Sequence, residues 1–428
     1  MTIGFYLNNI GQENVDCTHV VESNPGIGGS EYLILAIATL LTERNNDINV
    51  LLYVKECGIF PNCLNTIVVN NLDVAINISI KKGVDIFVVD FKRINNEIIT
   101  RFKEKMKFVI WCHNFVPIKQ LSFYSKMPNI LRLITVGREQ MDLYRDHPAF
   151  EKSDYIYNGV SMITIDKFKN NLPAFSERSN NVIYIGSLEE CKGFYYIAKA
   201  WKKVVKTYPD ANLYVVGSGK LYNRNAVLGG WGLAEENFER KFIPYLTKNN
   251  KLLPSVHFMG VMGNEKFELL SKCKVGVPNP GGDTETFGLT AVEMQSMGCL
   301  VTTIKCAGYL DTVFEKDALY DNTNLLADYI IKMLSCTENG YEKKYNFIKY
   351  NFSFDAVINQ WEKLFKECIP MNSVLNDEKY FINSNFRLKK IKDYLRLKKN
   401  NNILLTFVPT IEFVLVNTID RYHRIIRR

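Results

Sequence analysis

From the first residues onward, short apolar runs rich in β-branched side chains alternate with segments whose apolar positions recur every three or four residues. The runs are IGFYLN (3–8), NVLLYV (49–54), DIFVVD (85–90), KFVIWC (107–112) and LITVG (133–137). Continuous apolar runs between helical patterns predict parallel strands of βαβ units, buried on both faces. A polar stretch at 166–181 breaks the rhythm and reads as a linker. The alternation restarts with VIYIGS (182–187), ANLYVVG (211–217), SVHFMG (255–260), VGVPN (275–279) and CLVTTI (299–304). Between the first two of these, Phe194, Ile197, Ala198, Trp201, Val204, Val205 and Tyr208 mark an amphipathic helix with Pro209 past its end. Phe354, Val357, Ile358, Trp361 and Leu364 predict a further helix closing the second unit. The expected fold class is α/β: doubly wound domains at 1–165 and 182–352, a closing helix at 353–368 and a tail at 369–428. Ligands of doubly wound sheets bind at the carboxyl ends of the strands, so function is expected on the loops that follow them.

Size agrees with two domains, since 428 residues exceed one ordinary core. Charge changes the picture only at the end of the chain. Residues 386–428 hold eleven Lys and Arg against Asp393, Glu412 and Asp420, a net +8 that equals the charge of the whole chain. The body is neutral, and the tail has no nucleic-acid-reading motif, so no nucleic-acid partner is expected. In the tail, Arg387, Lys389, Lys390, Lys392, Arg396, Lys398 and Lys399 flank Leu388, Ile391, Tyr394 and Leu395. The apolar run ILLTFVPTIEFVLV (403–416) follows, 14 residues with Pro409 and Glu412 inside it. A spanning helix needs about 20 apolar residues. The expectation is peripheral contact of 386–428 with a membrane through its basic cluster, with a helix packed on protein as the alternative. Ten cysteines without a Cys-x-x-Cys pair argue against structural zinc. The start MTIGFYLNN lacks a secretion signal, which predicts a cytoplasmic protein at the inner face of the membrane.

Three loops carry candidate chemistry. In PNPGGDTETFGLTAVEMQSMG (278–298), between two predicted strands, Glu285 lies in the loop and Glu293 in the first turns of the following helix. The helix start offers unpaired backbone N–H groups and a positive dipole end, suited to a diphosphate. In IGSLEECKGF (185–194), Lys192 precedes Gly193 at a helix start, where an ammonium can reach a phosphate as a point charge. In NPGIGGSEYLILAIATLL (24–41), Gly28 and Gly29 precede a helix, again an anion-favouring start. The Gly-x-Gly-x-x-Gly spacing of nicotinamide-binding loops is absent. His113, followed by Asn114, ends the strand KFVIWCH.

The segment 278–298 resembles the donor-site motif of family GT4 of the retaining glycosyltransferases, an acidic loop, Gly-Phe-Gly and a second glutamate. Thr286 stands where many members have the first glycine. The resemblance spans roughly residues 1–368. It implies the GT-B architecture, two Rossmann-like domains with a cleft between them, the N-terminal one facing the acceptor and the C-terminal one holding a nucleoside diphosphate sugar. By position, Glu285 would contact the sugar, Phe287, Gly288 and Leu289 would offer backbone N–H groups, and Glu293 would bind ribose. Lys192 matches a basic position of the family, whereas Ser187 stands where another is usual. Gly28 and Gly29 would lie near the donor phosphates and His113 near the donor sugar. Asn158-Gly159-Val160 resembles the family's segment at the domain junction, and its local reading is a tight turn. The implied activity is retaining transfer of a sugar from a nucleoside diphosphate sugar to a glycan or lipid-linked acceptor in surface polysaccharide or lipopolysaccharide assembly. No cofactor and no divalent metal are expected. A phosphorylase of the same fold and a catalytically silent partner subunit are the rival readings.

Overall fold

The computed structural model describes residues 1–44, 47–221, 225–367, 386–402, 405, 408–415 and 418. The N-terminal sheet contains β1 (Thr2–Leu7), β2 (Asn49–Val54), β3 (Asn65–Val68), β4 (Ile86–Asp90), β5 (Phe108–Cys112), β6 (Ile130–Thr135) and β7 (Ser153–Tyr155). All neighbours are parallel, in the order β3-β2-β1-β4-β5-β6-β7. The second sheet, also parallel, runs Val256–Gly260, β9 (Asn212–Val216), β8 (Asn181–Ile185), Val275–Gly276, Leu300–Val301. Both are doubly wound sheets, as the alternation predicts. Each reverses direction beside its first strand, between β1 and β4 and between β8 and Val275–Gly276. Such switch points open a crevice at the carboxyl edge. The loops leaving those four strands hold residues 24–29, 90–93, 186–192 and 277–288.

Several expectations need correction. The run CLVTTI is not one strand: Leu300–Val301 belongs to the main sheet, and Thr303–Ile304 pairs with Leu319–Tyr320 in a separate ribbon. The polar stretch at 166–181 begins inside a helix, Met162–Lys169, and ends in β8. The helix Phe354–Glu367 does not close the second domain but crosses back onto the first. Its Trp361 ring lies 4.7 Å from Trp111 and 6.5 Å from Phe5, and Phe365 also packs edge-on against Phe5. Aromatic burial of that size favours docking on the nearest apolar face, which here is the N-terminal sheet.

The return crossing explains Asn158-Gly159-Val160. Val160 forms a bridge to Ser353, its N–H donating to the Phe352 carbonyl at 2.8 Å and its carbonyl accepting from the Phe354 N–H at 3.0 Å. A Cβ on Gly159 would meet the Phe354 ring at 2.3 Å. The glycine is there for close approach of two chain crossings, not for a turn.

The tail departs most from expectation. Its helix Phe386–Asn401 lies on the N-terminal domain with its basic residues inward. Lys389 Nζ sits 2.9 Å from Glu139 and 2.5 Å from Asp142. Lys392 Nζ donates to the carbonyls of Asp142 and Leu143, both at 3.2 Å, capping the C-terminal end of the helix Arg138–Leu143. Arg396 pairs with Glu151 at 2.8 Å and stacks 4.4 Å over the Phe150 ring. Lys399 Nζ donates to the Asp146 carbonyl at 3.2 Å. The basic cluster expected to face a membrane is thus largely engaged within the chain. No helix among the described residues is long and apolar enough to cross a membrane.

Candidate active site

The four switch-point loops line one cleft of about 640 Å³. From the N-terminal side come Gly29, Asp90, Lys92, Arg93, His113 and Asn158; from the C-terminal side come Ser187, Lys192, Lys266, Asn279, Glu285 to Leu289 and Glu293. All but one of the residues singled out from sequence are therefore brought together. The exception is Gly28, which is not among the lining residues. The space beside its Cα is taken by Glu31, whose Oε2 a Cβ there would meet at 2.3 Å.

Glu31 also corrects the reading of that loop. It lies in the first turn of α1 (Gly29–Arg44) and pairs with Arg93 at 3.2 Å. A carboxylate of the chain itself already occupies the positive end of this helix dipole, so the loop is a poorer anion site than its glycines suggest.

The other helix start is better suited. Gly288 caps the helix Leu289–Ser296 in a left-handed conformation, φ +88°, and a Cβ there would meet the Tyr309 ring at 2.5 Å. Only glycine satisfies both demands. Its turn leaves the first N–H groups of the helix beside the loop that carries Glu285. Thr284, in the same loop, is held at φ +60°, a conformation uncommon outside glycine and a sign of constraint.

Glu285 is oriented by two donors: Asn279 Nδ2 at 3.1 Å and Lys192 Nζ at 3.4 Å meet the same Oε2. A cation and an anion from different loops thus form one polar cluster, matched to a ligand with both phosphate and hydroxyl groups. Eight residues on, Glu293 is buried and paired with Lys266 Nζ at 2.6 Å. Ser187 is also buried, its hydroxyl donating to the Ser218 carbonyl at 3.3 Å. It brings no charge to the cleft, whereas Lys192, Lys266, Lys92 and Arg93 do.

His113 faces the cleft just beyond β5 with its ring 4.4 Å from that of Trp111. Burial, reinforced by the Lys92 ammonium, pushes its pKa down to about 3, so the ring is neutral near pH 7. Its Nε2 is buried without a hydrogen-bond partner among the described residues. A neutral imidazole with one unused nitrogen is equipped for a hydrogen bond to a bound hydroxyl, not for ion pairing. On the adjacent strand, burial raises Asp90 to about 6 although it caps the turn at Lys92.

The two domains meet at the donor loop itself. Thr286 Oγ1 donates to the His113 carbonyl at 2.6 Å, and both residues are buried. A second contact lies beside it: Asp311 Oδ2 accepts from the Glu139 N–H at 2.9 Å, and Oδ1 accepts from the Tyr157 hydroxyl at 3.3 Å. Sequence reasoning missed Lys266, Asn279, Asp90 and the hydroxyl of Thr286. Only Asn279 had a local signal, lying in the glycine-rich turn after a strand.

Comparison with known proteins agrees with this geometry. Residues 165–353 match the family model Glycosyl transferases group 1. A Haemophilus influenzae protein described as an uncharacterized glycosyltransferase is 22% identical over 272 residues, 60% of this chain and 69% of that one. A glycosyltransferase from Rickettsia africae superposes with a TM-score of 0.61 at 16% identity, covering 86% of this chain and 98% of that one. The Anabaena protein Alr3699/HepE, crystallised with UDP, superposes at 0.57 with 13% identity over 86% of this chain and all of its own. The neighbours show the GT-B architecture, and the match of residues 165–353 to the Glycosyl transferases group 1 model supports a glycosyltransferase.

Proposed function

We propose that the protein is a retaining, metal-independent transferase of the GT4 type that moves a sugar from a nucleoside diphosphate sugar to a glycan or lipid-linked acceptor. The observation that carries this reading is the Asn279–Glu285–Lys192 cluster at a helix start, across the cleft from His113. Lys192 and the N–H groups beside Gly288 bind the diphosphate and stabilise the charge that grows on it as the glycosidic bond breaks. Glu285, held by Asn279, accepts hydrogen bonds from the donor sugar. Glu293, oriented by Lys266, accepts from ribose hydroxyls. Neutral His113 offers its imidazole to a sugar hydroxyl. The acceptor hydroxyl attacks from the face the diphosphate leaves, and a donor phosphate oxygen takes its proton. UDP in the HepE structure supports a nucleotide subsite in this fold. The acceptor belongs to surface polysaccharide or lipopolysaccharide assembly at the inner face of a membrane.

The test is a panel of nucleotide sugars presented to the purified protein with and without EDTA. Nucleoside diphosphate release that persists in EDTA and falls in Glu285→Gln is expected. Activity abolished by EDTA and restored by manganese contradicts metal independence, and release from no member of the panel contradicts the transferase reading.

A further inference from the structure

The tail helix is amphipathic in the inverted sense. Its inner stripe is Lys389, Lys392, Arg396 and Lys399, spaced to fall on one side of a helix and each bonded to the N-terminal domain. The opposite side carries Ile391, Tyr394 and Leu397, which remain 52%, 59% and 55% exposed. A helix that only had to cover the domain would place those three inward, because removing apolar side chains from water is favourable. Here the inward face is fixed by charge, and the apolar side chains are held outward. Contiguous exposed apolar surface of this kind marks an interaction site.

We infer that this outer face is a docking surface for an anionic lipid bilayer. Arg387 and Lys398 are exposed on the same side as the apolar residues, and Lys398 Nζ lies 5.4 Å over the Tyr394 ring. A basic residue folded over an apolar body, free to lift its charge to the headgroups, is how interfacial helices meet a bilayer. The helix's own acid, Asp393, is turned away to Arg145 and Arg396. Further along the chain, Phe413, Val414 and Leu415 are again exposed. Exposed apolar side chains on the helix with Arg387 and Lys398 beside them suit a negatively charged lipid surface, whereas a protein partner would need matching acidic groups in fixed positions. At 16 residues the helix lies on such a surface and does not cross it. The surface would hold the cleft near a lipid-linked acceptor, so its purpose rests on the proposed transferase reading, while its existence does not.

The experiment is co-sedimentation of the full chain with phosphatidylcholine vesicles and with vesicles that also contain phosphatidylglycerol, without donor or acceptor. The variant is Ile391→Ser combined with Tyr394→Ser and Leu397→Ser, which leaves every inner ion pair in place. Wild type should bind the anionic vesicles, more weakly as salt rises. The variant should bind at least about tenfold more weakly, with unchanged melting temperature and unchanged calorimetric affinity for nucleotide. Wild type that ignores anionic vesicles at low salt overturns the inference, as does a variant that binds as well as wild type. A wild-type dimer that the variant dissolves, without vesicle binding, also overturns it and assigns the face to a second copy of the chain.

Discussion

Thr286→Val isolates a hydrogen bond that joins the loop carrying Glu285 to His113 across the domain boundary. The substitution keeps the branched shape and removes the hydroxyl that donates to the His113 carbonyl at 2.6 Å. Donor and acceptor are both buried, and stripping one partner from a buried polar group costs about 1–3 kcal/mol. If that contact holds the two domains in the reactive arrangement, the cost falls on turnover and amounts to roughly fivefold to 150-fold in kcat. Nucleotide affinity should change little, because Glu293, Lys192 and the helix start all belong to the C-terminal domain. Thr286→Ser restores the hydroxyl and should recover most of the rate. Thr286→Gly, the residue that the family resemblance places here, should behave like valine or worse. Steady-state kinetics, nucleotide calorimetry and a melting curve for each variant make the check. An unchanged kcat in Thr286→Val, or serine as impaired as valine, refutes the reasoning.

Glu285→Gln should lower turnover and Glu293→Ala nucleotide affinity, each by the about 1.5–3 kcal/mol of a hydrogen bond to a charged group; wild-type kinetics in both would end the donor-site assignment. Asp311 at the domain contact is raised to about 7, chiefly by burial. A carboxyl whose folded pKa lies above its unfolded value favours the folded state most below pH ~4 and loses that contribution as pH rises through about 7. Asp311→Asn should therefore flatten the loss of stability between pH 5 and pH 8 in denaturant titrations, and an unchanged slope would contradict the assignment. Lys389→Ala strips one partner from nearly buried Asp142, a loss of about 3–5 kcal/mol for an isolated pair. Arg145, 2.6 Å from the other Asp142 oxygen, holds the expected effect near the lower end. A melting temperature equal to wild type would show that the tail is not clamped there.

The central strands were legible because a parallel sheet covered on both faces needs unbroken apolar runs, which few other elements require. The outer strands of the N-terminal sheet were not. β3 is an edge strand with three of its four residues exposed, and β7 is three residues long with Asp154 at its centre. Glu285, Glu293, Lys192 and His113 could be picked out because strand, loop and helix follow one another locally, so position alone puts them at the carboxyl edge. Lys266 sits in a helix with no motif, 27 residues before its partner, and Thr286 finds its acceptor 173 residues away. The first contact arises from tertiary packing inside the C-terminal domain and the second from the packing of one domain on the other, and no local pattern records either.

The tail shows the same limit in electrostatic form. Periodicity correctly separates two faces on Phe386–Asn401, but it does not say which face lies down. The decision is made by Glu139, Asp142 and Glu151 and by the carbonyls of Asp142, Leu143 and Asp146, which lie about 250 residues earlier and receive Lys389, Lys392, Arg396 and Lys399. Four of the helix's seven cations are consumed there, two of them donating to backbone carbonyls. Removing one inner lysine leaves a nearly buried acid short of a partner, whereas truncating an outer isoleucine or leucine removes a side chain that is already more than half exposed. Stability therefore selects the inner face. The outer one is left for whatever the protein meets, and a charge count that sums both faces cannot tell them apart.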